Sequence, residues 1–194
     1  MKYNPDIHHR HSIRLQGYDY SQNGAYFVTL CTQNRECLFG EIVNGEMILN
    51  EYGKNVEQCW FNLPNHYHNI ALDAYVIMPN HFHGIIFITD NVDNVDNVGA
   101  IHELPLHELP LQLQQQRRKM LLPKIIGRFK MNSAKQINQI RNASGVPVWQ
   151  QNYYENIIRN EKSLENIRNY IINNPSEWCY DDYNPKKVKY DRKQ

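Results

Sequence analysis

Two histidines, His81 and His83, stand two residues apart inside the apolar run YVIMPNHFHGIIFITD, residues 75–90. Side chains two apart on a strand share a face, so both imidazoles project to one side. A neutral imidazole is a firm ligand for a divalent cation. Two of them leave coordination positions for a third protein ligand and for water or substrate, which is what a catalytic metal requires. The same pair could equally serve as ordinary polar residues of a strand. Nine histidines are present, and HHRH (8–11) and NHYHN (65–69) offer competing pairs. Those two lie in polar surroundings and are the poorer candidates.

The elements that must position these residues are legible from periodicity. AYFVTLCT (25–32) is rich in β-branched and aromatic residues and predicts a strand. CLFGEIVNGEMILN (37–50) predicts a hairpin turning at Asn44-Gly45. EYGKNVEQCWFNL (51–63) predicts a helix that ends before Pro64, with Val56, Trp60 and Leu63 at helical spacing. IALDAYVIM (70–78) and HFHGIIFIT (81–89) predict two strands joined at Pro79-Asn80. The second is apolar on both faces apart from its histidines, which predicts a central strand. PKIIGRFKMNSAKQINQIR (123–141) fits a helix that turns Ile125, Ile126, Phe129, Ala134 and Ile137 inward. VPVWQQNYYENII (146–158) predicts a further strand. EKSLENIRNYIINNP (161–175) predicts a helix with Asn160 as N-cap, a core stripe of Leu164, Ile167 and Ile171, and Pro175 as its stop. Tyr170 flanks that stripe and Asn174 lies one turn further along, in a register that the following proline makes less secure. Helices interleaved with an antiparallel sheet predict an α+β fold, in its small version a ferredoxin-like one.

Charge is unevenly spread, although the formal net charge is only +1. From Arg117 to Tyr154 there is no acidic residue, while Arg128, Lys130 and Lys135 fall on the 123–141 helix. A solvated helix face is the ordinary reading of such a run. Complete absence of acids over this length favours a polyanion-binding face. Residues 91–116 repeat NVD and then HELPL with periods far too short for a solenoid, and predict a surface insertion. A single domain over residues 1–180 is therefore expected, interrupted at about 91–118 and followed by a basic tail, 181–194. No apolar run approaches the roughly 20 residues of a membrane span, and the first residues lack a signal-peptide core. Four cysteines without CxxC spacing predict free thiols and a reduced, cytoplasmic protein rather than a zinc knuckle.

YVIMPNHFHGIIFI resembles the motif strand of the single-strand DNA transposases that carry a His-hydrophobic-His pair and one catalytic tyrosine. Residues 12–42, the IIGRFK segment and VWQQNYYENIIRNEKSLENIRNYIINNPSEW (148–178) resemble their REP-associated tyrosine transposase branch. The likeness covers most of 8–90 and 119–178, with several motifs in order. It implies a ferredoxin-like sheet with the catalytic tyrosine on a late helix. It implies that His81 and His83 bind a divalent metal, Mg2+ or Mn2+. The family pattern YIxxN reads YIINN here, which implies Tyr170 as nucleophile and Asn174, four residues on, as third ligand. The partner implied is single-stranded or hairpin-forming palindromic DNA, cut through a 5′-phosphotyrosine. Arg10 and Arg14 in the N-terminal arm, with Arg128, Lys130 and Lys135, are the expected DNA contacts. Tyr153 and Tyr154 are the competing tyrosines; strand alternation sends one to each face. Monomer and homodimer with exchanged catalytic helices both remain open. The rivals are a replication-initiator-like nickase, a domesticated DNA-binding protein that does not cut, and a metal-dependent hydrolase of another substrate.

Overall fold

A computed structural model describes residues 18–89 and 120–187. The repeat insertion, Arg10, Arg14 and the last residues of the tail lie outside the described residues. The elements are β1 (Gly24–Cys31), β2 (Gly40–Val43), β3 (Glu46–Leu49), α1 (Glu51–Phe61), β4 (Ile70–Met78), β5 (His81–Ile88), α2 (Leu121–Ile140), β6 (Tyr154–Ile158) and α3 (Glu161–Asn173). Four strands form one sheet in the order β4-β5-β1-β6, with every neighbouring pair antiparallel. β2 and β3 form a separate hairpin. Leaving out that hairpin, β1-α1-β4 and β5-α2-β6 are two crossovers interleaved in one sheet, which is the ferredoxin-like arrangement. The fold is α+β, and β5 is central as its apolar run predicts.

The sheet separates two cores. On one face Tyr26, Val28 and Leu30 of β1 and Phe82 and Ile86 of β5 pack against Val56 and Trp60 of α1 and Ile125, Ile126 and Phe129 of α2. On the other, Ala25, Val76, Met78 and Ile85 receive Leu164 and Ile171 of α3. The period of two in β5 therefore assigns Phe82, Gly84 and Ile86 to the α1/α2 side. It assigns His81, His83 and Ile85 to the α3 side. In β4 the alternation slips between Leu72 and Tyr75, where a bulge shifts the register.

Gly84 is what lets Trp60 lie against the sheet. A Cβ there would stand 2.8 Å from ring atoms of both Phe82 and Trp60, and the Trp60 and Phe82 ring centroids are already 4.7 Å apart. Gly84→Ala should therefore destabilise the protein by about 1–3 kcal/mol through overpacking. Urea unfolding of the variant measures this, and an unchanged midpoint would show that the two rings can give way. At the β2–β3 turn, Asn44 and Gly45 have φ of 53° and 81°, the paired positive values of a type I′ hairpin.

Two boundaries differ from the sequence expectation. α2 begins at Leu121, so Pro123 sits inside its first turn, where a missing N–H costs nothing. The first-turn donors are met from outside the helix: Leu121 N donates to Ser21 Oγ at 2.9 Å and Leu122 N to the Tyr20 carbonyl at 3.2 Å. The strand expected over 146–158 is regular only from Tyr154 to Ile158, with an isolated bridge from Trp149 to Thr32. Around that bridge Gln33 N donates to the Val148 carbonyl at 2.7 Å and Gln150 N to the Cys31 carbonyl at 2.9 Å, while the Trp149 indole donates to Ser133 Oγ at 2.9 Å and its ring packs 5.0 Å from Phe39. The Gln150 and Gln151 carbonyls accept from Lys130 Nζ, at 2.6 and 2.9 Å.

Candidate active site

The histidine pair opens β5 directly after the Pro79-Asn80 turn. His81 and His83 are 0% and 2% exposed, so the strand presents two imidazoles to the second core and not to solvent. Register with β1 places Thr29 beside His83, and Thr29 Oγ1 lies 2.8 Å from His83 Nδ1. Asn80 orients His81. Both amide hydrogens of Asn80 are committed, to the carbonyls of Arg35 (3.1 Å) and Tyr183 (2.7 Å). Its Oδ1 is thus left as acceptor for His81 Nδ1 at 2.9 Å. The proton of His81 therefore resides on Nδ1, and Nε2 carries a bare lone pair.

α3 supplies the other half. Asn160 caps it, its side chain accepting from Ser163 N at 2.8 Å. Leu164 and Ile171 bury the stripe that seats the helix on the sheet. Tyr170, next to that stripe, remains 45% exposed. Its hydroxyl lies 3.2 Å from His83 Nε2, and its ring meets Phe27 edge-on. Asn174 keeps helical angles (φ −56°, ψ −42°) despite Pro175, and is 3% exposed. The backbone penalty before proline does not displace it. His81, His83, Tyr170 and Asn174 thus come together from two segments far apart in the chain.

Burial sets the protonation states. It holds His81 down to about 3, with the nearby Arg35 cation adding to the effect and the Asn174 amide opposing it. Burial, and then the neighbouring His81, hold His83 well below the ordinary imidazole range. Both are neutral at pH 7. The Tyr170 phenol is pushed up by burial and by the Asp181 and Asp182 carboxylates, while Asn174 pulls it back. Burial also raises Asp181, and Asn174 again acts the other way. Asn174 thus acts on three titratable groups of the site, His81, Tyr170 and Asp181.

A pH dependence follows from the buried imidazoles. Unfolded, each takes up a proton near pH 6.5; folded, only well below that. Between those values the unfolded chain binds more protons, so stability rises with pH and is lost as pH falls from about 6.5. The slope reaches up to about 1.4 kcal/mol per pH unit for each imidazole. Asp181, raised when folded, has the opposite sign but acts in the carboxylate range. The window from pH 6.5 to 5 is therefore the cleanest. In chelator, urea midpoints of the wild type should fall across this window more steeply than those of His81→Asn. Parallel curves would mean that His81 is not held neutral.

A divalent cation fits these residues. His81 Nε2 and Asn174 Oδ1 are both buried without a hydrogen-bond partner, and the Asn174 side chain lies close enough to His81 to act on its protonation. Among the described residues no three His, Cys, Asp or Glu side chains gather into a ligand cluster, so the site depends on the amide of Asn174.

The expected DNA-binding cations are not part of this site. α2 packs on the opposite face of the sheet from the histidines. Lys130 ties down the 150–151 carbonyls, and Arg128 Nη2 lies 3.1 Å from His66 Nδ1. Lys135 is exposed on the outer face of the helix. Tyr153 is buried in the α1/α2 core and Tyr154 is 50% exposed. Thr29, Asn80, Asp181 and Tyr183 all belong to the site but went unread in the sequence. The Tyr183 ring lies tilted against that of His81, centroids 4.6 Å apart, and Arg35 lies over the Tyr183 ring at 5.3 Å. Asn80 alone carried a signal, as an amide directly preceding the motif at a strand-joining turn.

No model of a known protein family matches the chain. It is 46% identical over 180 residues to an uncharacterized protein of Haemophilus influenzae, covering 93% of this chain and 96% of that one. Among solved structures it is similar to a REP-associated tyrosine transposase bound to a REP hairpin. The TM-score is 0.48 and the identity 16%, over 87% of this chain and 74% of that one. A likeness of that size does not decide an activity.

Proposed function

Starting from the premise that the chain belongs to one family with the Haemophilus influenzae protein, we propose that it is a metal-dependent single-strand DNA endonuclease and strand transferase of the REP-associated tyrosine transposase type. The observation that carries this reading is the 3.2 Å contact between Tyr170 Oη and His83 Nε2, residues 87 positions apart in sequence. A half-exposed phenol beside buried neutral imidazoles is poor design for a core and good design for a nucleophile.

His81, His83 and Asn174 would hold the cation, Mg2+ or Mn2+. When bound, it neutralises and orients the scissile phosphate. Tyr170 does the rest of the covalent work. Its phenol is not ionised at neutral pH, because burial and the two acids raise its pKa above the ordinary value. The phenol proton therefore passes to water as the new bond forms, and the departing 3′ oxygen takes a proton up from water. Tyr170 Oη attacks phosphorus, the P–O3′ bond breaks, and the strand departs with a free 3′-OH. A 5′-phosphotyrosine remains, which a 3′-OH can attack to rejoin strands. Thr29 and Asn80 fix the two rings throughout.

The substrate class we propose is single-stranded or hairpin DNA. Exposed Tyr154 offers a stacking face, and the cations of α2 offer sequence-independent attraction at longer range. No helix of the described residues is long and apolar enough to cross a membrane. An intact His81, His83, Tyr170 and Asn174 disfavours the non-cleaving reading. Incubating the protein with Mn2+ and labelled hairpin oligonucleotides tests the proposal. A covalent protein–DNA band is expected, and its absence under every metal condition would overturn it.

A further inference from the structure

We infer that Asp181 is a direct ligand of the same cation, so that the site is built from imidazole, amide and carboxylate; the inference rests on the metal-site reading above. Asp181 follows the short turn Trp178–Tyr180, and its side chain is only 7% exposed. Its Oδ1 accepts from Tyr183 N at 2.6 Å. That contact fixes the carboxylate and directs Oδ2 toward His81 Nε2, 3.8 Å away.

This approach is not an ion pair. Asn80 commits the His81 proton to Nδ1, so Nε2 has no hydrogen to offer, and 3.8 Å is too long for a hydrogen bond from a protonated acid. Asp181 Oδ2 thus stands 3.8 Å from a buried Nε2 lone pair that has no hydrogen-bond partner, and the Asn174 side chain, whose Oδ1 is likewise unpartnered, acts on both groups. A carboxylate oxygen and a bare imidazole lone pair held this close repel each other unless a cation lies between them. Two donors that each sit about 2.1 Å from one ion stand about 3–4 Å apart, and the observed separation is in that range. A carboxylate ligand also brings negative charge to a site whose other ligands are neutral, and hard divalent ions favour oxygen donors.

The test is Mn2+ binding to the full-length protein, read by the loss of free-ion EPR signal. Infrared difference spectra between chelated and Mn2+-loaded protein are recorded alongside. Wild type should bind one Mn2+ and show a shifted carboxylate band. Asp181→Asn, nearly isosteric, should weaken binding at least about tenfold and lose the shifted band. Circular dichroism and the melting curve must show that the variant is folded. Asp182→Asn, which removes an exposed neighbouring carboxylate that pairs with Lys187, should bind nearly as wild type and keep the shifted band. Equal affinity in Asp181→Asn overturns the inference. So does weaker binding with no carboxylate shift in the wild type, because Asp181 would then act through water. If wild type binds no Mn2+ at all, the metal-site reading itself falls.

Discussion

Tyr170→Phe should bind metal and hairpin DNA as wild type does and yield no covalent adduct at all. Phenylalanine keeps the ring that meets Phe27 and removes only the oxygen that would attack phosphorus. The lost contact to His83 Nε2 costs about 1 kcal/mol of stability at most, in line with one part-buried hydrogen bond. Fold and chemistry therefore separate cleanly in this variant. Tyr153→Phe and Tyr154→Phe should each retain the adduct. Tyr153 is buried in the core across the sheet, and the hydroxyl that meets His83 Nε2 is that of Tyr170, not of Tyr154. Mass spectrometry of the DNA-linked peptide locates the nucleotide. A nucleotide on Tyr154, or an adduct persisting in Tyr170→Phe, would remove Tyr170 from its role.

The halves of this site were legible in the sequence, and their junction was not. A period of two places His81 and His83 on one face whatever the rest of the chain does. A period near 3.6 places Tyr170 beside a stripe that must be buried. Nothing in either period says that α3 covers the histidine face of the sheet and α2 the other; the likeness of the motifs to those of known transposases implies that pairing without deriving it. Lys130 shows the same limit. Its place in an acid-free run marks it as an expected DNA contact, and that run says nothing of the Gln150 and Gln151 carbonyls that its ammonium also holds. The strand over 146–158 shows the same limit, since alternation cannot foresee that pairing is confined to the Trp149 bridge and to Tyr154–Ile158. Thr29 and Asp181 depend on register and on a chain reversal after α3, both of which are tertiary facts.

His81→Ala should lower metal-dependent cleavage by about 100-fold or more, since groups that merely orient a metal ligand already contribute about 10–100-fold. DNA binding should largely survive, because phosphate contacts spread over the surface carry most affinity, whereas the cation would act at one bond. The graded companion is Asn80→Leu, which removes the acceptor that commits the His81 proton to Nδ1. The imidazole then loses its fixed tautomer, and the Arg35 and Tyr183 carbonyls lose their donor. Cleavage should fall by about 10–100-fold, and raised Mn2+ should restore part of it, since the ligand itself is still present. His81→Ala has no imidazole to recruit and should respond far less. Cleavage rates across a Mn2+ titration, with DNA affinity measured in parallel, separate the two variants. Full activity of His81→Ala at low Mn2+ would return the pair to an ordinary place in the core. Identical rescue curves would show that Asn80 and His81 are not orienter and ligand of one cation.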